Sequence, residues 1–194
     1  MGKATGPVYK VAFRRRRSNL TNYAKRLALV KGEAARMVVR KSGRGVTVQF
    51  VQFFPGGDKV ASSVRSGVLF GQGWFPRCNS PTAYLCGLLA GKMALKKGIK
   101  EFNLDVGMQT PSKGSVLFAA LQGAVDAGLK TNYEGKMTDE ARISGAAIAQ
   151  YAASLKSSDP AKYGRLFSAY LKAGFAPEKM VEAFKSAKAK MAGA

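Results

Sequence analysis

Four consecutive arginines, at positions 14 to 17, are the residues whose type and spacing most clearly indicate chemistry in this sequence. A guanidinium group donates two parallel hydrogen bonds to phosphate oxygens and stacks on exposed bases, which an ammonium group does poorly. The first 50 residues contain thirteen Lys and Arg but one acid, Glu33. Because a solvated run of charge is usually balanced, this excess indicates a polyanionic partner.

Three aromatic residues, Tyr9, Phe13 and Tyr23, are interleaved with these cations. Proteins that recognise unpaired RNA bases stack them on aromatic side chains beside a cationic track. The same rings could instead tether the segment to a hydrophobic core, and both interpretations stay open. A segment of this composition cannot fold alone but can become ordered on RNA.

Catalytic chemistry has little support in the sequence. The chain has no histidine, the commonest general base and metal ligand, and only 11 acids. Glu101 and Asp105 would share the polar face of one strand, where we expect a solvated surface rather than a two-metal site. The stretches AGKMALKKG and TPSKGS do not match the phosphate loop of nucleotide hydrolases. We therefore predict no enzyme activity, no metal and no cofactor.

The segment 112–115 could still bind an anion. It precedes a predicted helix, whose first backbone N–H groups have no partners within the helix and can donate to a phosphate. A plain helix cap would have the same sequence, so both alternatives stay open.

The overall composition also favours a nucleic acid as the partner. The 194 residues are 46% hydrophobic, as in globular proteins, and 32 Lys and Arg against 11 acids give a formal charge of +21. Self-repulsion of this size destabilises an isolated fold unless a polyanion neutralises it. An anionic membrane surface ranks second as the partner. No apolar run is long enough to span a bilayer, and we predict no membrane partner.

The two cysteines, Cys78 and Cys86, have neither zinc-binding nor redox spacing. We expect both to be reduced, with Cys86 acting as a small apolar residue on a helix. This usage favours a cytosolic location.

The elements that would position the cations follow from the hydrophobic pattern. Thr21 or Asn22 can cap a helix over about 23–31, which Gly32 ends and on which Leu27 and Val30 suit one face. The segments 36–42, 45–53 and 59–66 are rich in β-branched and aromatic residues and are joined by the turns SGRG and PGGD. They predict a three-stranded antiparallel meander, with Val46, Val48 and Phe50 on one face.

Two helix–strand units are predicted next. Ser80 would cap a helix over 81–97 that carries an apolar stripe of Leu85, Leu89 and Met93, and Gly87 and Gly91 would let this helix approach a sheet closely. A half-buried strand over 99–107, a helix over 116–127 and a short strand at LKTNY follow. Three alanine-rich helices are predicted over 138–155, 159–174 and 177–191.

This order predicts an α/β protein with a mixed sheet in the order βββαβαβ. We divide the chain into three parts. They are a basic N-terminal arm with a short helix (1–35), a mixed α/β core (36–133) and a C-terminal helical extension (134–194).

Several long blocks of the sequence resemble one protein family and occur in the same order as in that family. They are GPVYKVAFRRRR, TNYAKRLALVKG, RMVVRKS, SPTAYLCGLLAGKMALKKGI, LDVGMQTPSKGS and FAALQGAVDAGL. They resemble the 5S-rRNA-binding protein family of the large ribosomal subunit, universal large-subunit family eighteen, in its archaeal-eukaryotic form. The resemblance runs from about residue 7 to 130 and continues more loosely through RISGAAIAQYAASL and YGRLFSAYLKAGFAPEKMVEAF. The length is similar to that of archaeal members.

The resemblance implies a ribonuclease-H-like, non-catalytic core and a structural role in the large subunit of cytoplasmic ribosomes. It implies binding to 5S rRNA and help in attaching it to the large rRNA in the central protuberance, beside the other 5S-rRNA-binding protein and neighbouring ribosomal proteins. By the family pattern, the RNA-binding residues are Lys10, Arg14, Arg15, Arg16, Arg17, Thr21, Asn22, Tyr23, Arg26, Arg40, Lys41, Ser42, Arg44, Thr110, Ser112, Lys113 and Ser115. Segment 62–79 departs from the pattern, and no contact is assigned there.

Two other function classes remain as alternatives. The first is a metal-dependent nucleic-acid-processing enzyme on the same ribonuclease-H-like fold, with Asp105 as a metal ligand. The second is a cationic membrane-surface protein, which would need helices with sharply divided apolar and basic faces. The lysines of 156–190 are instead scattered among alanines.

Overall fold

The computed structural model describes residues 6–133 and 138–192. The N-terminal half contains helices α1 (Arg14–Arg17) and α2 (Tyr23–Lys31), strands β1 (Ala35–Lys41), β2 (Val46–Gln52) and β3 (Lys59–Arg65), and a 3₁₀ helix at Ser66–Gln72. The second half contains α3 (Ser80–Lys96), β4 (Glu101–Asp105), α4 (Val116–Asp126), β5 (Lys130–Thr131), α5 (Glu140–Ile143), α6 (Ala146–Ser158), α7 (Pro160–Leu166), α8 (Ser168–Lys172), a 3₁₀ turn at Pro177–Lys179 and α9 (Met180–Ala192).

The five strands form one mixed sheet in the order β3-β2-β1-β4-β5. Strands β1, β2 and β3 are antiparallel neighbours, whereas β4 is parallel to both β1 and β5. The parallel connections pass through helices α3 and α4, since parallel strands need a crossover. The predicted α/β class, with a meander followed by helix–strand units, is confirmed.

Period-2 alternation decides which side of the sheet is buried. Val46, Val48 and Phe50 are at most 1% exposed, as predicted, and Phe102 of β4 packs edge-on against Phe50 at 5.4 Å between ring centroids. We call this side, which packs on α3 and α4, the inner face. The opposite side, the outer face, carries Arg36, Val38 and Arg40 of β1, because successive side chains point to opposite faces.

Helices α3 and α4 touch backbone to backbone. A Cβ atom added at Gly87 of α3 would overlap the carbonyl oxygen of Ala120, and one added at Gly123 of α4 would overlap that of Tyr84. A Cβ at Gly91 would lie 2.8 Å from the Cβ of Ala127. The prediction that the glycines of α3 face a sheet is therefore wrong, since they face the neighbouring helix.

The start and the apolar stripe of α3 also differ from the sequence prediction. Asn79 rather than Ser80 is the N-cap, and its Oδ1 accepts a hydrogen bond from the backbone N–H of Thr82 at 3.1 Å. Leu85 is fully buried, but Leu89 is half-buried and Met93 is 37% exposed. The stripe is displaced because α3 is covered by β2, β3, α4 and the C-terminal helices at once.

The C-terminal helices are shorter than predicted. The helix expected over 138–155 breaks at Gly145, whose φ of +80° suits glycine, and the one expected over 159–174 breaks at Phe167. The helix expected over 177–191 begins as a 3₁₀ turn. The boundary expected at residue 134 lies outside the described residues.

An aromatic cluster attaches these helices to α3. The Trp74 ring meets those of Phe175 and Phe184 edge-on at 5.9 and 6.2 Å, and its Nε1–H donates to Thr82 Oγ1 at 2.9 Å. Met180 and Met191 are fully buried. Within the ranges described above, no helix has the length and apolar character needed to cross a membrane.

Replacing Gly87 with alanine tests the contact between α3 and α4. Because the added methyl group would overlap the backbone of Ala120, the helices must separate, and overpacking of this kind costs about 1–3 kcal/mol or more. We expect Gly87→Ala to lower the free energy of unfolding by at least about 2 kcal/mol. Gly67→Ala is the control, since no atom lies within 4 Å of its added Cβ. Equal stabilities of the two variants would contradict the contact.

The thiol of Cys86 should be unreactive in the folded protein. Burial raises the pKa of its thiol to about 12, and only the thiolate reacts with alkylating or disulfide reagents. In a Cys78→Ser variant, which leaves Cys86 as the one thiol, we expect negligible labelling by a disulfide reagent at pH 8. Full labelling should appear only in guanidinium chloride, and rapid labelling of the native protein would contradict the burial.

Candidate nucleic-acid interface

Helix α1 presents the four consecutive arginines to solvent. Arg14–Arg17 forms one helical turn, and all four side chains are exposed. The side chain of Arg15 is held by the protein, because its Nε donates to Thr21 Oγ1 at 2.6 Å. Within the described part of the chain the other three make no ion pair, so their guanidinium groups are free to bind an anion.

Helix α2 lies over the outer face and holds the arm beside it. Its bounds agree with the sequence prediction, and Asn22 is the N-cap, accepting a hydrogen bond from the Lys25 backbone N–H at 3.0 Å. Tyr23 at the helix start is 43% exposed. Leu27 and Val30 were expected to share one face of the helix, but Leu27 is 56% exposed whereas Val30 is half-buried.

A buried guanidinium group organises the outer face. The side chain of Arg36 is only 4% exposed, and its Nη2 and Nη1 lie 2.5 Å from Asp58 Oδ2 and 3.3 Å from Asp105 Oδ2. Arg26 of α2 also binds Asp58, at 2.9 Å, and Arg40 lies 3.7 Å from Asp105. We call these three arginines and two aspartates the charge cluster. It joins α2, β1, the start of β3 and the end of β4.

The charge cluster corrects the expectation that Asp105 is solvated. Its side chain is 13% exposed, and besides the arginines it accepts a hydrogen bond from the Gly107 backbone N–H at 2.9 Å. Asp126 accepts a hydrogen bond from the Tyr84 hydroxyl at 2.6 Å, and burial together with this contact raises the pKa of Tyr84. Both Asp105 and Asp126 are therefore bound to protein groups, which weakens the enzyme alternative. Among the described residues, no three His, Cys, Asp or Glu side chains are grouped to hold a metal.

Helix α2 and the outer face enclose a cleft of about 470 Å³. Cationic and polar side chains of the arm, α2 and β1 line it together with Asp58 and Asp105, and its floor is apolar, with Val38, Val51 and Val60. The predicted site residues that line it are Arg15, Thr21, Asn22, Arg26 and Arg40. A second, shallower depression is lined by Arg16, Tyr23 and the exposed Met108, among others. Three further predicted residues line neither the cleft nor the depression but are exposed, namely Lys10, Arg14 and Arg17.

The turn between β1 and β2 and the loop after β4 lie at the same edge of the sheet, because β1 and β4 are parallel neighbours. Gln109 Nε2 donates to the carbonyl oxygen of Val39 at 3.3 Å, and a Cβ at Gly107 would lie 3.1 Å from the Arg40 guanidinium carbon. Three exposed residues of the predicted set extend this edge, namely Lys41, Ser42 and Arg44.

The loop before α4 offers exposed polar groups and an uncapped helix start. Thr110, Ser112 and Lys113 are exposed, and Ser115 occupies the N-cap position without a side-chain cap bond. Its Oγ is buried without a hydrogen-bond partner in the described structure. The simple cap suggested by the sequence is therefore absent, which leaves the anion-binding alternative open.

Three cations near these groups were missed by sequence reasoning. Lys25 lines the cleft under α2, and Arg36 was counted as basic without any sign that it is buried. Arg142 of α5 packs beside the loop, since its Nη1 would lie 3.4 Å from a Cβ at Gly114. Nothing in the local sequence of α5 indicates this neighbour, because the contact depends on how the C-terminal helices fold back.

One known protein family matches part of this chain. Residues 8–102 match the family model described as the ribosomal large subunit proteins 60S L5 and 50S L18. This match supports a large-subunit ribosomal protein of the L18 type.

The match indicates a structural component of the large subunit, part of a ribonucleoprotein that functions in translation. It confirms the predicted family and the predicted ribosomal location. Binding to rRNA is a general property of the family, and the exposed cations described above are suited to it.

Replacing Arg36 with methionine tests the charge cluster. The change leaves Asp58 and Asp105 beside each other without their shared cation, and breaking a buried ion pair typically costs about 3–5 kcal/mol. We expect Arg36→Met to lower the free energy of unfolding by about 3 kcal/mol in denaturant titrations. Adding Asp105→Asn should restore part of the stability.

The matched control is Arg65→Met, which removes an exposed arginine from β3, on the same outer face. A surface change of this kind is expected to alter stability by no more than about 0.5 kcal/mol. If both arginine variants were destabilised equally, the charge cluster would not be the element that holds the outer face together.

Proposed function

We propose that the protein binds 5S rRNA through its arm and helps attach it to the large rRNA in the central protuberance. Its neighbours there would be the other 5S-rRNA-binding protein and further large-subunit proteins. The observation that carries this proposal is the free exposed guanidinium groups of α1, held beside the cleft under α2.

The unbalanced charge supports a polyanionic partner over a protein partner. The charge cluster engages Asp58 and Asp105 with arginines, so these acids cannot neutralise the arm. RNA phosphates supply the missing negative charge, and release of their counterions drives binding. The other candidate groups would extend the contact along the edge of the sheet, with Lys41 and Arg44 of the turn and Lys113 of the loop.

Aromatic side chains beside the cations support contacts to bases as well as phosphates. Phe13 is 88% exposed and Tyr9 is 48% exposed, so neither ring is buried in the core. This exposure argues against the tether interpretation and supports base stacking as the role of these rings. In this proposal, residues 1–35 make the main contact with the RNA, and residues 36–133 form the scaffold that holds them and adds the contacts along the edge of the sheet.

The experiment is filter binding of 5S rRNA across a range of salt concentrations, with all four arginines of α1 changed to glutamine. Each arginine that binds a phosphate contributes about one to the steepness of log K against log salt, so we expect the slope to become shallower by about three to four. Affinity at moderate salt should fall by at least about tenfold.

The control variant removes the same charge from exposed residues of the C-terminal helices, through Lys162→Gln, Arg165→Gln, Lys172→Gln and Lys185→Gln. An equal decrease in affinity for the two variants would mean that net charge rather than the arm determines binding. Equal affinity of the unchanged protein for 5S rRNA and for tRNA would reject the 5S assignment while leaving rRNA binding intact.

A further inference from the structure

A second cationic cleft, of about 630 Å³, lies beside the turn between β1 and β2. Its lining combines the turn residues Ser42 and Arg44 with a segment that no sequence pattern had assigned to RNA. That segment supplies Arg65, Ser66, Gly67, Phe70, Phe75, Pro76 and Arg77.

The cleft is positively charged and contains no acid in its lining. Arg44 and Arg65 are exposed, and Arg77 is half-buried over the Phe75 ring, with 5.3 Å between the guanidinium carbon and the ring centroid. None of these three arginines forms an ion pair with Asp or Glu in the described ranges. A ligand that fills the cleft would therefore carry negative charge.

An exposed aromatic ring, that of Phe70, lines the same cleft. Phe70 is 57% exposed and meets Phe75 edge-on, with 5.5 Å between ring centroids. Phe75 in turn packs against Phe175. The exposed Phe70 ring is thus supported by an aromatic cluster that continues into the protein.

Two buried residues, one before and one after Phe70 in the chain, hold this residue in place. Leu69 is fully buried, and Trp74 is 1% exposed and hydrogen-bonded to Thr82. Gly73 ends the 3₁₀ helix with a φ of +79°, which lets the chain turn from one anchor to the other. A large apolar ring held at the surface by such a scaffold is preorganised for contact with a ligand.

We propose that this cleft binds an unpaired segment of rRNA, with a base stacked on Phe70 and phosphates bound by Arg44, Arg65 and Arg77. Aromatic rings beside arginines are the combination that binds single-stranded nucleic acid. An acidic protein segment would satisfy the arginines but leave the exposed ring without a specific role. The inference rests on the proposed RNA contact in general but does not depend on the choice of 5S rRNA.

Photocrosslinking of the full chain tests the site, with a short oligoadenylate that contains one 4-thiouridine. Trypsin cuts after Arg65 and Arg77 and so releases the cleft aromatics in one peptide, residues 66–77. We expect the crosslink on this peptide in the unchanged protein. Since base stacking contributes about 1–3 kcal/mol, Phe70→Ala and Phe70→Leu should each reduce the crosslink by about tenfold.

The matched control is Phe53→Ala, which removes a ring of similar exposure at the far end of β2. It should leave the crosslink on peptide 66–77 unchanged. Crosslinks that avoid this peptide, or that survive both Phe70 variants, would overturn the proposal. Binding of oligoglutamate together with absence of the RNA crosslink would assign the cleft to an acidic protein instead. Because 5S rRNA is not the probe, failure here is distinct from failure of the 5S assignment.

Discussion

The buried guanidinium group of Arg36 is the constraint on which the outer side of this protein depends. A charge removed from water must be paired, and here two carboxylates from different segments, Asp58 and Asp105, supply the partners. Asp58 also binds Arg26 of α2, so one cluster positions the helix that carries the arm. The register of β1 against β4 and the place of α2 over the sheet are thereby linked through a few ionic contacts.

The same cluster explains why the surface remains so basic. The chain has only 11 acids against 32 cations, and the cluster assigns two of these acids to structural arginines. The arginines of α1, and Arg44 at the sheet edge, are left without acidic partners in the described structure. Self-repulsion between them opposes folding of the free protein, so a bound polyanion both satisfies these groups and stabilises the fold.

On the inner side, close packing of α3 provides the rigidity that the exposed groups need. Gly87 lets α4 approach backbone to backbone, while Trp74 ties the C-terminal helices to the start of α3. Helix α3 is therefore the central element, covered by the sheet, α4 and the C-terminal helices. Surface loops placed on such a scaffold can hold arginines and aromatic rings in fixed positions, which lowers the entropic cost of binding RNA.

The sequence by itself determined the local elements and the chemistry of the partner. Alternation predicted the meander, side-chain caps and glycines predicted the bounds of α2, and the arginines at positions 14 to 17 predicted a polyanion, because these signals depend on neighbouring residues only. Tertiary structure alone decided that Arg36 and Asp105 are paired, that Gly87 faces a helix and that Phe70 meets arginines from separate segments. Such outcomes depend on contacts between residues distant in sequence, for which local periodicity carries no information.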